Sequence, residues 1–383
     1  MENYIEPIKY AIIIFPFIAF LFTLPYILHQ YHKYGSVYYF RVLIVYSFIL
    51  YLISAYFLVI LPLPSFEEVN QMTSPTTQLV PFSFIRDFIE HSSFQIQDFS
   101  TYIKALMEPY CYVVLYNILL TIPFGIYLGY YFKCSLKKCV FYSFCLSLFF
   151  EITQLSGLYG IYSRGYRLFD VDDLILNTLG GLIGYLCSLG IKKILPSRER
   201  IDQKAYELGR KVSWLKRTTL FFLDLFFYTV IASFVQIFVS GNLSLYLTFL
   251  FYYVLYPYWR NGKTLAGSFL NVKIEVEANQ SILFSLFLRQ NLFYIGYFVL
   301  PAYVLILGGG ITASLPLPRS VRTLSSLFII LIVIVYLFGS FLRLIRKKRP
   351  YYEVFSKTKL VSTIGIDDHN ENIPNNFVRQ KRK

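Results

Sequence analysis

The stretch FFEITQLSGLYGIYSRGYRLFDVDDLILNTLGGLIGYL (149–186) decides how the chain is read. It leaves one long apolar run, crosses a polar cluster and enters a second apolar run. Glu151 and Gln154 stand three residues apart near the end of the first run, so they share a helix face. Arg164, Arg167, Asp170, Asp172 and Asp173 crowd the loop that follows. The second run opens with acids, which suit the positive end of a helix dipole. Asp173, Asn177, Gly180, Gly181 and Gly184 fall on one stripe of it. Gly180 and Gly184 form a GxxxG pattern, which allows a neighbouring helix to approach closely. An ionisable residue inside an apolar span is costly and faces a bundle interior or a wet cavity.

Outward from this stretch, the whole chain has the same character. Of its 383 residues, 56% are hydrophobic and only 15% charged, against about 25% in ordinary soluble domains. A soluble enzyme, a disordered chain and a disulfide scaffold are excluded. Nine apolar runs are long enough to cross a bilayer as helices, at roughly 10–29, 41–62, 110–132, 139–157, 173–191, 218–239, 243–259, 291–312 and 323–343. The expected fold is an all-α polytopic membrane protein with about nine transmembrane helices. The first run is long, lacks a small-residue cleavage site and follows Glu2 and Glu6 instead of a basic region, so it reads as a retained span.

The net charge of +14 would suggest nucleic acid in a soluble chain. In a membrane protein the simpler cause is the accumulation of Lys and Arg in cytoplasmic loops. With the N-terminus outside, 29 of the 36 Lys and Arg fall on the inner side and seven on the outer side. The expected topology is therefore N-out, C-in, with no nucleic-acid partner and with membrane lipids as the surroundings.

Composition shifts divide the chain into four parts: a five-helix domain (1–195), a basic cytoplasmic linker (196–216), a four-helix domain (217–361) and an unstructured cytoplasmic tail (362–383). The linker reads as an amphipathic helix resting on anionic lipid. In the long outer loop, 80–89 (VPFSFIRDFI) reads as an amphipathic helix. Residues 269–277 (FLNVKIEVE) alternate and read as a strand, with a small β-hairpin expected near 269–285. No internal repeat links the two halves, so an inverted-repeat transporter finds no support. The five cysteines are odd in number, contain no CxxC, and read as inert thiols.

The outer polar cluster has two readings. It is a ligand pocket at the membrane surface, or a structural lock in which Glu151 pairs with Arg167. A buried ion pair adds little net stability, which favours the pocket. A divalent-cation site from Glu151, Asp170 and Asp172 is a third reading. DVDD lacks the turn Gly and downstream Glu of an EF-hand loop, so no metal and no cofactor is assigned.

These residues also carry a resemblance. LPLP (61–64), NILLTIPFG (117–125), SLFFEITQ (147–154), R-x-x-D-x-D-D-x-x-x-N (167–177) and LGGLIGY (179–185) together resemble the VanZ-like family over residues 1–191. The resemblance implies a bacterial plasma-membrane protein linked to resistance to glycopeptides such as teicoplanin. It carries over Glu151, Gln154, Arg167, Asp170, Asp173 and Asn177 as motif positions, and Arg164 joins them as a candidate ligand-binding residue.

The second half, 210–361, resembles the RDD family. Arg217 and Asp224 are seven residues apart on one helix face and fit that family's first Arg and Asp. Gly262 and Thr264 fit its GxTxGK-like loop, and Glu353 stands where a second Asp is expected. Ala266 and Gly267 replace the expected Gly and Lys, which removes a cation. RNGKT (260–264) is not a P-loop, lacking GxxxxGK[ST].

The leading expectation is a non-enzymatic envelope protein whose outer pocket binds or shields an amphipathic antibiotic or a lipid-linked peptidoglycan precursor. The alternatives are an ion-coupled transporter using Glu151 and Asp224, and an intramembrane enzyme with Glu151 as general base. No Ser-His or Cys-His arrangement supports catalysis; His29, His32, His91 and His369 all lie outside the polar clusters.

Overall fold

The computed structural model describes residues 2–314, 318–346 and 348–365. The protein is an all-α, multi-pass membrane protein. Among the described residues, eight helices are long and apolar enough to cross a membrane. The ninth expected span, 243–259, forms a short helix, a π turn (Phe251–Leu255) and a further helical turn, and does not join that count. The chain folds into two compact units, Met1–Pro25 with Tyr38–Gln203, and Tyr26–Val37 with Lys204–Lys383.

The first unit contains α1 (Glu2–Tyr34, as far as Pro25), α2 (Tyr39–Ile60), α3 (Ser83–His91), α4 (Pro109–Tyr130), α5 (Leu136–Leu155) and α6 (Val171–Ile194). Pro109 opens α4 at a position where its missing N–H costs nothing. Asp170 caps α6, its side chain accepting the Asp172 amide at 2.8 Å. α4 and α6 pack backbone to backbone. A methyl group added at Gly180, Gly184 or Gly125 would collide with the carbonyl oxygens of Ile118, Ile122 and Gly181 respectively. The GxxxG reading therefore describes the real contact. Ala55, Leu120 and Phe150 form the core between α2, α4 and α5.

The long loop between α2 and α4 is ordered. β1 (Thr77–Gln78) runs parallel to β2 (Phe169–Asp170), which places this loop beside the start of α6. The helix expected at 80–89 is α3.

The helix expected in the linker is α7 (Arg198–Gly209). Ile201 is enclosed by protein, against Ile44, Tyr130 and Tyr131, and Ala205 is fully buried. Arg41, itself buried, pairs with Asp202 and holds the helix down.

The second unit contains the end of α1 from Tyr26, α8 (Trp214–Phe238), α9 (Asn242–Leu250), α10 (Leu265–Phe269), α11 (Ile282–Tyr294), α12 (Leu300–Ser314), α13 (Arg319–Ile345) and α14 (Tyr351–Phe355). A second π turn, Ile295–Val299, joins α11 to α12, so this span begins at Ile282, earlier than hydropathy suggested. β3 (Val272–Val276) is the expected strand, but the local hairpin is not formed. β3 pairs antiparallel with β4 (Thr358–Ser362), with Ile274 opposite Leu360. The residues after β3 instead start α11, where Ser281 caps by accepting the Phe284 amide. The first residues of the tail expected to be unstructured from 362 are ordered. Ser362 belongs to β4, and the Thr363 amide donates to the Asn271 carbonyl at 3.0 Å. Residues 366–383 lie outside the described residues.

Candidate functional site

The motif residues of the first unit gather where α4, α5 and α6 meet the loops, but not as a shared open pocket. Glu151 is 2% exposed, and its carboxylate accepts the Asp170 amide at 3.0 Å. Asp173 accepts from the Asn117 side chain. Asn177 donates to the Ser147 hydroxyl at 2.9 Å, and its carbonyl accepts from Thr121 at 2.7 Å. Ser147 in turn donates to the Asp173 carbonyl at 3.2 Å. Glu151 bonds separately to the Asp170 amide, and Asn117, Thr121, Ser147, Asp173 and Asn177 form one hydrogen-bonded column between three helices. The Asn177 side-chain oxygen within it has no partner among the described residues.

The expected Glu151–Arg167 pair is not formed. Arg167 donates to the carbonyls of Val59 at 2.6 Å and Leu61 at 3.1 Å, at the end of α2. Gln154 donates to the same Val59 carbonyl at 3.0 Å. A helix C-terminus leaves its last carbonyls unsatisfied, and guanidinium and amide groups satisfy them here. Arg164 lies apart, donating to the carbonyls of Met72 and Ser74.

Asp172 is a structural residue. Its two oxygens accept the Phe82 amide at 2.5 Å, the Ser83 hydroxyl at 2.7 Å and the Phe84 amide at 3.0 Å. Phe82 adopts a left-handed conformation and offers no cap of its own, so Asp172 caps α3 from across the loop. Asp170 is half-buried. Burial pushes its carboxyl above the usual carboxylate range; the Asp172 amide opposes this, and the charges of Asp172 and Asp87 add to it. Burial likewise pushes the Tyr166 hydroxyl up to about 12.

Arg167 is the exposed member of the set. Two surface grooves meet at it. One, of about 410 Å³, is bounded by Met72, Gln78 and Tyr166. The other, of about 320 Å³, is bounded by Pro62, Glu68 and Tyr166. The arrangement is an accessible guanidinium, held at two nitrogens, over a buried polar support. Among the described residues no group of three or more His, Cys, Asp and Glu side chains is placed to hold a metal ion.

The second unit brings all five of its candidate residues together around one cavity of about 220 Å³. Arg217, Asp224, Gly262 and Thr264 line it. Glu353, fully buried, binds Arg217 through both oxygens at 2.5 and 3.3 Å. Gly262 has φ +84°, and a side chain there would strike the Ile274 carbonyl; its own carbonyl accepts the Ile274 amide at 2.8 Å. Thr264 caps α10 by accepting the Gly267 amide at 2.8 Å. The loop is thus strapped to β3.

Sequence reasoning missed Arg289, Tyr252 and Tyr352. Arg289 shares Glu353 at 3.2 Å and lies 5.0 Å from the Tyr352 ring. Tyr252 donates to Asp224 at 2.7 Å. An Arg inside the apolar run of α11 was the one available signal, since such a charge needs a partner.

No curated protein and no solved structure matches the chain. Residues 48–193, which hold most of α2, all of α4 and α5, α6 up to its last residue and every member of the Glu151–Asn177 cluster, match the family model VanZ/LLP1, so this part of the chain is similar to that family.

Proposed function

We propose that the VanZ-like unit is a non-enzymatic cell-envelope module that binds an amphipathic or lipid-linked anionic ligand at Arg167 and so contributes to teicoplanin-type glycopeptide resistance. The supporting observation is the exposed Arg167 guanidinium at the junction of two grooves. Two of its nitrogens are fixed by backbone carbonyls, so it is preorganised for a carboxylate or phosphate. With the N-terminus outside, as the Lys and Arg distribution suggests, this face would lie outside a bacterial plasma membrane, where a peptidoglycan precursor or the antibiotic would meet it. Glu151, Asp170, Asp173 and Asn177 position the loop and do not touch the ligand.

The second half is read as an RDD-like domain fused to it, on the strength of the Arg217–Asp224–Gly262–Thr264–Glu353 arrangement. Ion-coupled transport through the buried acids is less favoured. Glu151 is committed to the Asp170 amide and Asp224 to Tyr252, in separate units.

The test compares wild type, Arg167→Ala and Glu151→Gln at matched membrane levels in a teicoplanin-sensitive Gram-positive host. Wild type protects and lowers labelled-teicoplanin binding to cells, and Arg167→Ala does neither. Equal protection by Arg167→Ala would refute the site.

A further inference from the structure

The cavity of the second unit has no place in the reading above. Its lining includes an ionic cluster. Arg217 and Arg289 share the single buried carboxylate of Glu353. Arg289 also donates to Thr358 at 2.9 Å and lies against the Tyr352 ring. Asp224, the other acid of the wall, accepts the Tyr252 hydroxyl, and Thr264 and the Ala266 amide serve it too. Lys273 lines the same space and pairs with Glu275 at 3.2 Å, an acid that Lys359 shares at 3.6 Å. Three cations, Arg217, Arg289 and Lys273, line the cavity with one lining carboxylate, Asp224, while Glu353 is bound by the two arginines.

Two further features point to a ligand. Gln290 lines the cavity and has no hydrogen-bond partner among the described residues. Apolar residues complete the lining: Leu220, Val272, and Phe221 and Phe293, which follow Arg217 and Arg289 by one helical turn. Guanidiniums with aromatic rings one helical turn along match a molecule charged at one end and apolar at the other. The volume of about 220 Å³ lies below the roughly 300–1,000 Å³ of sites that enclose whole ligands. It suits a head group and its first few methylenes.

We propose that this cavity binds a phosphate or carboxylate head group joined to an apolar chain. The head sits between Arg217, Arg289 and Gln290, and the chain lies along Phe221 and Phe293. A membrane lipid and a soluble amphiphilic anion share this chemistry.

The full-length protein is placed in phosphatidylcholine nanodiscs and titrated with octyl phosphate by calorimetry. Gln290 makes no hydrogen bond among the described residues, so its variants break none of them. Gln290→Glu puts a negative charge beside the head group and weakens binding by about ten-fold or more, as a unit charge at this range in a protein interior can. Gln290→Lys binds at least as tightly as wild type. Phosphatidylglycerol in the discs abolishes the octyl phosphate signal if a lipid is the natural occupant, and leaves it intact if a soluble amphiphile is. No binding, equal affinity of the Glu and Lys variants, or equal binding of octyltrimethylammonium would overturn the proposal.

Discussion

The Glu151 carboxylate accepts the backbone amide of Asp170 at 3.0 Å, joining the end of α5 to the cap of α6. One buried acid therefore fixes the start of the next helix. Replacing it by Ala leaves that amide without its acceptor, at a cost of about 1–3 kcal/mol. Glu151→Gln keeps an acceptor. Thermal unfolding in detergent should show a clear fall in Tm for Glu151→Ala and a much smaller one for Glu151→Gln.

Asp172 receives three donors from the start of α3. Asp172→Ala removes a remote cap, worth about 0.5–2 kcal/mol. The loss should be local. Amide exchange across residues 80–91 should accelerate, while α4 and α6 keep wild-type protection.

Gly184 lies against the Ile122 carbonyl and Gly125. Gly184→Leu forces the two helices apart, and overpacking of this kind costs about 1–3 kcal/mol or more. The variant should accumulate poorly and melt well below wild type. The same change at Gly190, where an added Cβ meets nothing within 4 Å, should be tolerated.

Glu353 neutralises Arg217 and Arg289 in a fully buried position. Glu353→Ala leaves two guanidiniums without their acid, and breaking a buried pair costs about 3–5 kcal/mol. Glu353→Asp keeps the charge and should fall between wild type and Ala in Tm.

The raised Asp170 carboxyl gives a pH signature. A carboxyl whose folded pKa exceeds its unfolded value contributes stability below the unfolded pKa and loses it as pH rises through the folded one. Asp170→Asn cannot ionise and keeps a capping side chain. Its Tm relative to wild type should rise as pH increases through the acid range, then level off. A flat difference would count against burial as the cause.

The sequence by itself determined the helical membrane architecture, because hydropathy is summed along the chain and each span satisfies its own backbone hydrogen bonds. It also marked α6 as a helix that a neighbour approaches closely, since Gly180 and Gly184 stand one turn apart; that the neighbour is α4 came from the structure. The motif residues of both units were legible as residue types. Their partners were not. Arg167 binds carbonyls of α2 and not Glu151, and a carbonyl acceptor carries no side-chain signature. β3 chose β4 over a nearby hairpin partner, because the residues after Val276 cap a helix instead. Tyr252 reaches Asp224 from a π turn, a local insertion that hydropathy averages away. Which polar groups face each other was decided only in the tertiary structure, since hydrogen bonds join groups that the chain brings together over 19 to 136 residues.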